Sequence, residues 1–130
     1  MKKILITAIA SATFAFAANS STTTINATMA LMNQGMDKIQ KGFLLNQKSL
    51  ILDGISVIKN ADAIFNTVDT NNFIKHNNKT QVTKNISKNL SNNIEMLEQD
   101  VKEGKFSDAT SDYGKALSNC VACHTIIRGW

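Results

Sequence analysis

The stretch VTKNISKNLSNNIEMLEQDV, residues 82–101, has the clearest periodic pattern of this 130-residue chain. Its apolar members recur at steps of three or four residues, at Val82, Ile86, Leu90, Ile94, Leu97 and Val101. This spacing places them on one face of an α-helix, whereas a half-buried strand would show a period of two. Gly104 follows shortly afterwards, at a position where helices commonly end. The stretch therefore predicts an amphipathic helix.

Three other segments have the same periodicity. The first carries Ile25, Met29, Met32, Met36, Ile39 and Phe43, and its apolar stripe is expected to be widened by Leu31, Leu44 and Leu45. The second, with Ser49 as its predicted N-cap, carries Ile51, Leu52, Ile55, Ile58, Ala61, Phe65 and Val68. The last, with Ser107 or Asp108 as its predicted N-cap, carries Ala109, Tyr113, Ala116, Leu117, Cys120 and His124.

Four helices joined by two short connections and one longer loop, residues 69–79, predict an all-α, up-down-up-down four-helix bundle. The composition agrees, because a chain without proline and with six glycines is unsuited to a turn-rich β-sandwich. A hydrophobic fraction of 43% and a charged fraction of 18% exclude a disordered chain. The net charge of +4 comes without an arginine-rich stretch, so the sequence does not indicate a nucleic-acid-binding protein.

The N-terminal residues 1–17, MKKILITAIASATFAFA, have the pattern of a secretion signal. Lys2 and Lys3 precede a short apolar run, and Ala15-Phe16-Ala17 is a small-x-small cleavage site, with a cut after Ala18 as the alternative. A bilayer-spanning helix needs about 20 apolar residues, more than this run offers. We therefore expect residues 18–130 to form one exported domain, most simply periplasmic and without stable membrane insertion.

Residues 120–124, Cys-Val-Ala-Cys-His, form the C-x-x-C-H pattern of c-type haem attachment. Two thiols about one helical turn apart can each add to one vinyl group of a haem, and the following His124 is then held where it can bind the iron. A zinc site would need more ligands, and a thioredoxin-like pair belongs near a βαβ pattern. A disulfide across two residues would be strained and would leave His124 unexplained.

A four-helix bundle with this motif six residues from the C-terminus resembles the class II c-type cytochromes, the family of cytochrome c prime and its low-spin relatives. The resemblance covers residues 18–130 and implies one haem c held by Cys120, Cys123 and His124. The family tends to have a basic residue four places after the histidine, here Arg128. It is expected to lie close to the haem, or to act as a C-terminal helix cation. The tail IIRGW is similar to that of small exported cytochromes of epsilon-type proteobacteria.

The sixth iron ligand decides between functions, because a methionine there suits electron transfer and an open position admits gases. The antiparallel topology puts Met29 and Met32 near the height of His124, with Met36 about 6 Å beyond Met32. Low-spin members of the family have the ligand in the first half of helix one, often as Leu-Met, and Leu31-Met32 matches this. The resemblance thus favours Met32, although methionines at helical spacing are commonly core residues. His76, in the loop, is a further alternative.

These features predict a non-enzymatic periplasmic cytochrome that carries single electrons. One alternative is a five-coordinate haem protein that binds NO or CO, and another is a haem-free protein with a Cys120–Cys123 disulfide. A group of lysines near the expected haem end would attract acidic redox partners, or is an ordinary solvated face. These lysines are Lys75, Lys79, Lys84 and Lys88. The resemblance adds a homodimer as a possible assembly.

Overall fold

The chain folds into four helices and no strands within the residues that the computed structural model describes, which are 16–69, 71, 73–74 and 79–129, with side chains for residues 22–127 of these ranges. The helices are α1 (Phe16–Leu44), α2 (Lys48–Phe65), α3 (Thr80–Glu103) and α4 (Phe106–His124). A π-helical turn, Thr125–Gly129, continues α4. The predicted all-α class is confirmed, and the arrangement is compatible with the predicted four-helix bundle.

The helices pack as two tight pairs. Helix α1 packs along α2 and α3 packs along α4, whereas α2 and α3 share a smaller contact and α1 touches α4 at few points. The core between them is built from the predicted stripes. Its larger cluster consists of Met36, Ile39, Ile51, Ile55, Ile58, Leu90, Ile94, Leu97, Val101, Ala109 and Ala116, and a smaller one of Ile25, Met32, Ala61 and Phe65.

The predicted N-caps of α2 and α4 are wrong. Helix α2 begins at Lys48 because the carbonyl of Gln47 already accepts the amides of Leu50 and Ile51, at 3.1 and 3.2 Å. Helix α4 begins at Phe106 after Lys105, whose carbonyl accepts the amide of Ala109 at 3.0 Å. Neither Gln47 nor Lys105 makes a side-chain cap bond, so the backbone turns alone set these two starts.

The predicted end of α3 is confirmed. Gly104 caps the helix in the left-handed conformation, with φ of 77°, which glycine adopts without steric cost. The amide of Lys105 then donates to the carbonyl of Asp100 at 2.8 Å, which closes the helix end. Because the chain reverses within these two residues, α4 starts directly after α3.

Several apolar residues lie outside the core, contrary to prediction. Leu31, Leu44 and Leu45 are exposed, the last two because α1 ends there and Asn46, at φ of 53°, turns the chain away. At the start of α3 the buried residue is Thr83 rather than Val82. Its Oγ1 donates to the carbonyl of Lys79 at 2.7 Å. The Thr83 hydroxyl can be buried because this hydrogen bond replaces the one that it would make with water.

The connection between α2 and α3 spans residues 66–79, three residues more than predicted, because α2 ends at Phe65 and not at Val68. Ile74 is buried in it, and the Phe73 ring packs on Phe65 with centroids 6.0 Å apart, a separation typical of aromatic pairs. Helix α1 starts at Phe16, nine residues before Ile25, the first member of its predicted apolar stripe. Most of the predicted leader, residues 1–15, lies outside the described residues, and no described helix is long and apolar enough to cross a membrane.

Candidate cofactor site

A cavity of about 300 Å³ lies at the end of the bundle where α1 begins and α4 ends. All four helices contribute to its wall, which is mostly apolar. Helices α1 and α4 touch at few points, and residues of both line the cavity.

Helix α4 brings the predicted attachment residues to this cavity. Cys120 and Cys123, three positions apart, lie on one face of the helix, and His124 continues that face. All three line the cavity and are half-buried. Sequence reasoning predicted these three residues together, and the structure brings them to one site.

The two thiols of the motif are free and are not joined by a disulfide. Burial raises the pKa of Cys120, and burial together with the neighbouring Cys120 thiol raises the pKa of Cys123. Both side chains are therefore uncharged thiols at neutral pH.

Helix α1 contributes three methionines to the wall, Met29, Met32 and Met36. Met32 and Met36 are buried, and Met29 is half-buried. Met29 and Met32 were expected near His124, and both share its cavity. Met36, the less favoured candidate because it was expected about 6 Å beyond Met32, also lines the same cavity. The structure therefore brings all three thioethers to the site without selecting one of them.

Two apolar side chains of the cavity wall are exposed although they border an apolar space. Leu117 and Val121 of α4 are 45% and 51% exposed, and both line the cavity. The cavity is thus open to the surface along α4. A flat apolar group seated there would cover these two side chains.

A polar group in the wall was missed by the sequence analysis. Asp62 of α2 lines the cavity together with Ser87 of α3. Ser87 Oγ donates to Asp62 Oδ1 at 3.2 Å, and Ser91 Oγ donates to Asp62 Oδ2 at 2.6 Å. The available signal was a carboxylate next to Ala61 on the apolar stripe of α2, opposite two serines spaced i, i+4.

The segment after His124 is tied to the start of α3. Lys79 Nζ donates to the carbonyl of Ile126 at 2.7 Å, so one basic residue of the predicted group lies at this end of the bundle. The side chain of Arg128 and the whole of Lys75, His76 and Trp130 lie outside the described residues. The roles predicted for Arg128 and His76 stay predictions.

Within the described ranges, no three histidine, cysteine or carboxylate side chains converge as a metal-ion site. Comparisons of the chain with protein-family models, curated proteins and solved structures gave no match. The resemblance to class II cytochromes stays a prediction, which depends on the motif, its place near the C-terminus and the order of the helices.

Proposed function

We propose that this protein is a monohaem c-type cytochrome of the class II type that carries single electrons between redox partners outside the cytoplasm. One observation carries the proposal: Cys120, Cys123 and His124 line the same open, apolar cavity as Met29 and Met32. An attachment motif alone could lie on any surface. Here it faces a space bounded by an iron-binding type of side chain on a second helix.

The side chains of α4 would hold the haem. Each thiol, of Cys120 and of Cys123, would lose its hydrogen to one vinyl carbon while its sulfur bonds the other, which would give two thioether links. The imidazole of His124 would bind the iron from the α4 side. The bound group supplies a one-electron couple between ferric and ferrous iron, and the protein sets its potential and its access to solvent.

A methionine of α1 would take the sixth position, with Met32 favoured and Met29 and Met36 as alternatives. A thioether ligand stabilises ferrous iron and raises the potential, as suits an electron carrier. Met32 is favoured by the Leu31-Met32 pair of the family resemblance. The cavity lining supports any of the three.

A second function, binding of NO or CO by five-coordinate iron, is favoured by a different observation. Met32 packs in the small apolar cluster with Ile25, Ala61 and Phe65, as a core residue would. Met36 packs in the larger cluster. Met29 packs against the small cluster as well. If all three methionines keep these positions, the sixth site would stay open and their side chains would only restrict it.

The charge at this end of the bundle supports an acidic redox partner. Lys84 and Lys88 of α3 are exposed, and neither forms an ion pair within the described part of the chain. By contrast, Lys102 near the other end pairs with Glu98 at 2.5 Å. Unpaired positive charge near the cavity would steer an anionic partner toward it. A homodimer remains the assembly that the family resemblance suggests.

The deciding experiment starts with the exported protein. Its mass and haem staining in a denaturing gel test the covalent attachment, and Cys120→Ser with Cys123→Ser removes both links as the control. Ferric and ferrous absorption spectra before and after CO follow. A low-spin spectrum that CO leaves unchanged supports the electron carrier. A high-spin spectrum that shifts with CO supports the gas-binding function, and a protein without covalent haem refutes both.

A further inference from the structure

Asp62 gives the cavity a carboxylate that the attachment chemistry does not use. It lies on α2, one turn before Phe65, and both residues line the cavity. Three side-chain donors fix it: Ser87 Oγ to Oδ1 at 3.2 Å, Ser91 Oγ to Oδ2 at 2.6 Å, and Asn66 Nδ2 to Oδ2 at 3.2 Å. The carboxylate is thus held in one orientation by neutral groups.

The negative charge of Asp62 is not cancelled by a nearby cation. Among the described side chains, no lysine, arginine or histidine nitrogen lies within 4 Å of its carboxylate. Lys59, one turn earlier on α2, pairs instead with Glu98 at 2.8 Å. The polar neighbours Ser87, Ser91 and Asn66 carry no charge. Asp62 therefore lines a cavity with mostly apolar walls and has no ion-pair partner among the described side chains.

A partly buried carboxylate without a counter-ion is costly in an apolar wall. If Asp62 served only to join α2 to α3, a neutral asparagine of the same shape could accept a hydroxyl hydrogen bond at lower cost. An aspartate at this position instead adds a carboxylate charge beside the cavity.

We propose that Asp62 sets the reduction potential of the haem that this cavity holds. Ferric haem carries one positive charge more than ferrous haem, so a fixed carboxylate beside it stabilises the ferric form. The interaction acts through a low-dielectric wall and is therefore stronger than a surface charge would produce. Asp62 thereby lowers the potential that a methionine ligand raises. This inference rests on the proposed function.

The serines make this effect specific. Ser87 Oγ and Ser91 Oγ each donate to one of the two carboxylate oxygens. They also hold both oxygens on the α3 side of α2, so the charge has a fixed place relative to the cavity. A carboxylate on a loop at the same end, without such support, would be screened by water and salt.

The test is a redox titration of the haem-loaded protein and of Asp62→Asn. We expect the ferric–ferrous equilibrium of the variant to move about tenfold toward ferrous, which is about 59 mV for a one-electron couple. The absorption spectra should coincide, since no iron ligand changes. Asp62→Glu, which keeps the charge, should stay within about twofold of the wild type on the same electrostatic argument.

Asp69→Asn is the matched control because it removes one carboxylate at the same end of the bundle. Asp69 is exposed, and its Oδ1 accepts the backbone amide of Asn71 at 3.0 Å. We expect Asp69→Asn to shift the ferric–ferrous equilibrium by less than about twofold, because solvent screens the charge of the exposed Asp69 carboxylate. Equal shifts in Asp62→Asn and Asp69→Asn would show a general effect of net charge and overturn the inference, as would no shift in either.

Asp62→Ser repeats the measurement if Asp62→Asn does not fold, because serine is also neutral and still accepts one hydroxyl hydrogen. A wild-type protein without covalent haem overturns the proposed function and this inference together. A haem-loaded wild type whose potential the two neutral variants leave unchanged overturns this inference alone. The two failures are therefore distinguishable.

Discussion

Gly35 of α1 and Gly54 of α2 face each other so closely that each backbone oxygen occupies the space of the other's missing side chain. A Cβ added at Gly54 would lie 2.6 Å from the oxygen of Gly35, and one added at Gly35 would lie 2.8 Å from the oxygen of Gly54. Both distances are well inside van der Waals contact. The tight pairing of α1 with α2 therefore depends on these two glycines. This pairing holds α1, the helix that carries the cavity methionines, in position against α2.

Gly54→Ala should destabilise the protein by about 1–3 kcal/mol, the usual cost of overpacking a close contact. The new methyl group would meet the backbone of α1 at Gly35 and Ile39, which cannot move without separating the helices. Urea denaturation followed by circular dichroism measures the free energy of unfolding.

Gly114→Ala is the matched control for this helix contact. Nothing lies within 4 Å of a Cβ at Gly114, which is inside α4. Alanine there should stabilise the protein by about 0.5–1 kcal/mol, because glycine is the poorer helix former. A Gly54→Ala protein as stable as the wild type would show that α1 and α2 are not held at this distance.

Most of the helices could be predicted from the sequence because their buried faces are strictly periodic. Ile39, Ile58 and Ile94 lie where the stripes put them. Helix starts were less predictable, since Gln47 and Lys105 precede α2 and α4 without capping them, and the determinants are backbone turns. Close approach of helices also leaves little trace in a hydropathy pattern.

The cysteines, the histidine and the methionines of the candidate site could be predicted from the sequence, and its carboxylate could not. The attachment residues Cys120, Cys123 and His124 form a contiguous motif, so their spacing alone predicted them. Asp62 could not be found in this way, because its partners Ser87 and Ser91 are 25 and 29 positions away and are brought near only by packing of α2 on α3. The three cavity methionines were found, yet periodicity cannot separate a ligand from a core residue.

Replacing the favoured sixth ligand should change the spin state of the iron. Leucine conserves the volume of methionine and removes only the sulfur. We expect Met32→Leu to give a high-spin ferrous spectrum that shifts with CO, because the sixth position opens. The measurement is the absorption spectrum of the haem-loaded protein. In that spectrum the methionine–iron charge-transfer band should also be lost.

Met29→Leu and Met36→Leu are the controls for this substitution, since both line the same cavity. Each should keep the low-spin spectrum. If one of them loses it while Met32→Leu does not, that residue is the ligand. If all three variants and the wild type bind CO alike, methionine ligation is ruled out and the gas-binding function gains support.

The stability of the bundle should depend on pH through Glu98. Hydrogen bonds from Lys102 and then from Lys59 lower the pKa of this carboxyl below its ordinary value of 4.5. Because the pKa is lowered, the ion pairs of Glu98 stabilise the fold fully at pH values above the ordinary pKa of 4.5. This stabilisation is lost as the pH falls through the pKa of Glu98 in the folded state. Glu98→Gln should therefore cost about 0.5–1 kcal/mol at neutral pH, the range for two exposed ion pairs.

The cost of Glu98→Gln should shrink in acid and in high salt, which urea denaturation at two pH values and two salt concentrations would show. Glu95→Gln, on the same helix but without an ion pair among the described residues, should have a smaller effect. A penalty for Glu98→Gln that stays constant from neutral to acid pH would mean that charge does not cause it.

The unpaired lysines at the cavity end should control how fast small charged oxidants take an electron. We expect Lys84→Gln with Lys88→Gln to slow oxidation by hexacyanoferrate(III), an anion, several-fold at low ionic strength, and to speed oxidation by a cationic cobalt(III) complex. Stopped-flow kinetics measure both rates. The two rates should change in opposite directions, which identifies charge as the cause. A structural defect or a changed reduction potential would alter both rates in the same direction.

Lys102→Gln, which removes a lysine near the other end of the bundle, separates local charge from net charge. Lys102 is already paired with Glu98, so its loss should leave both oxidation rates within about twofold of the wild type. The effect of Lys84 and Lys88 should also vanish near about 1 M salt, where the Debye length falls to about 3 Å. Equal effects of Lys102→Gln and of the Lys84/Lys88 double substitution would show that electrons do not leave through the surface around Lys84 and Lys88.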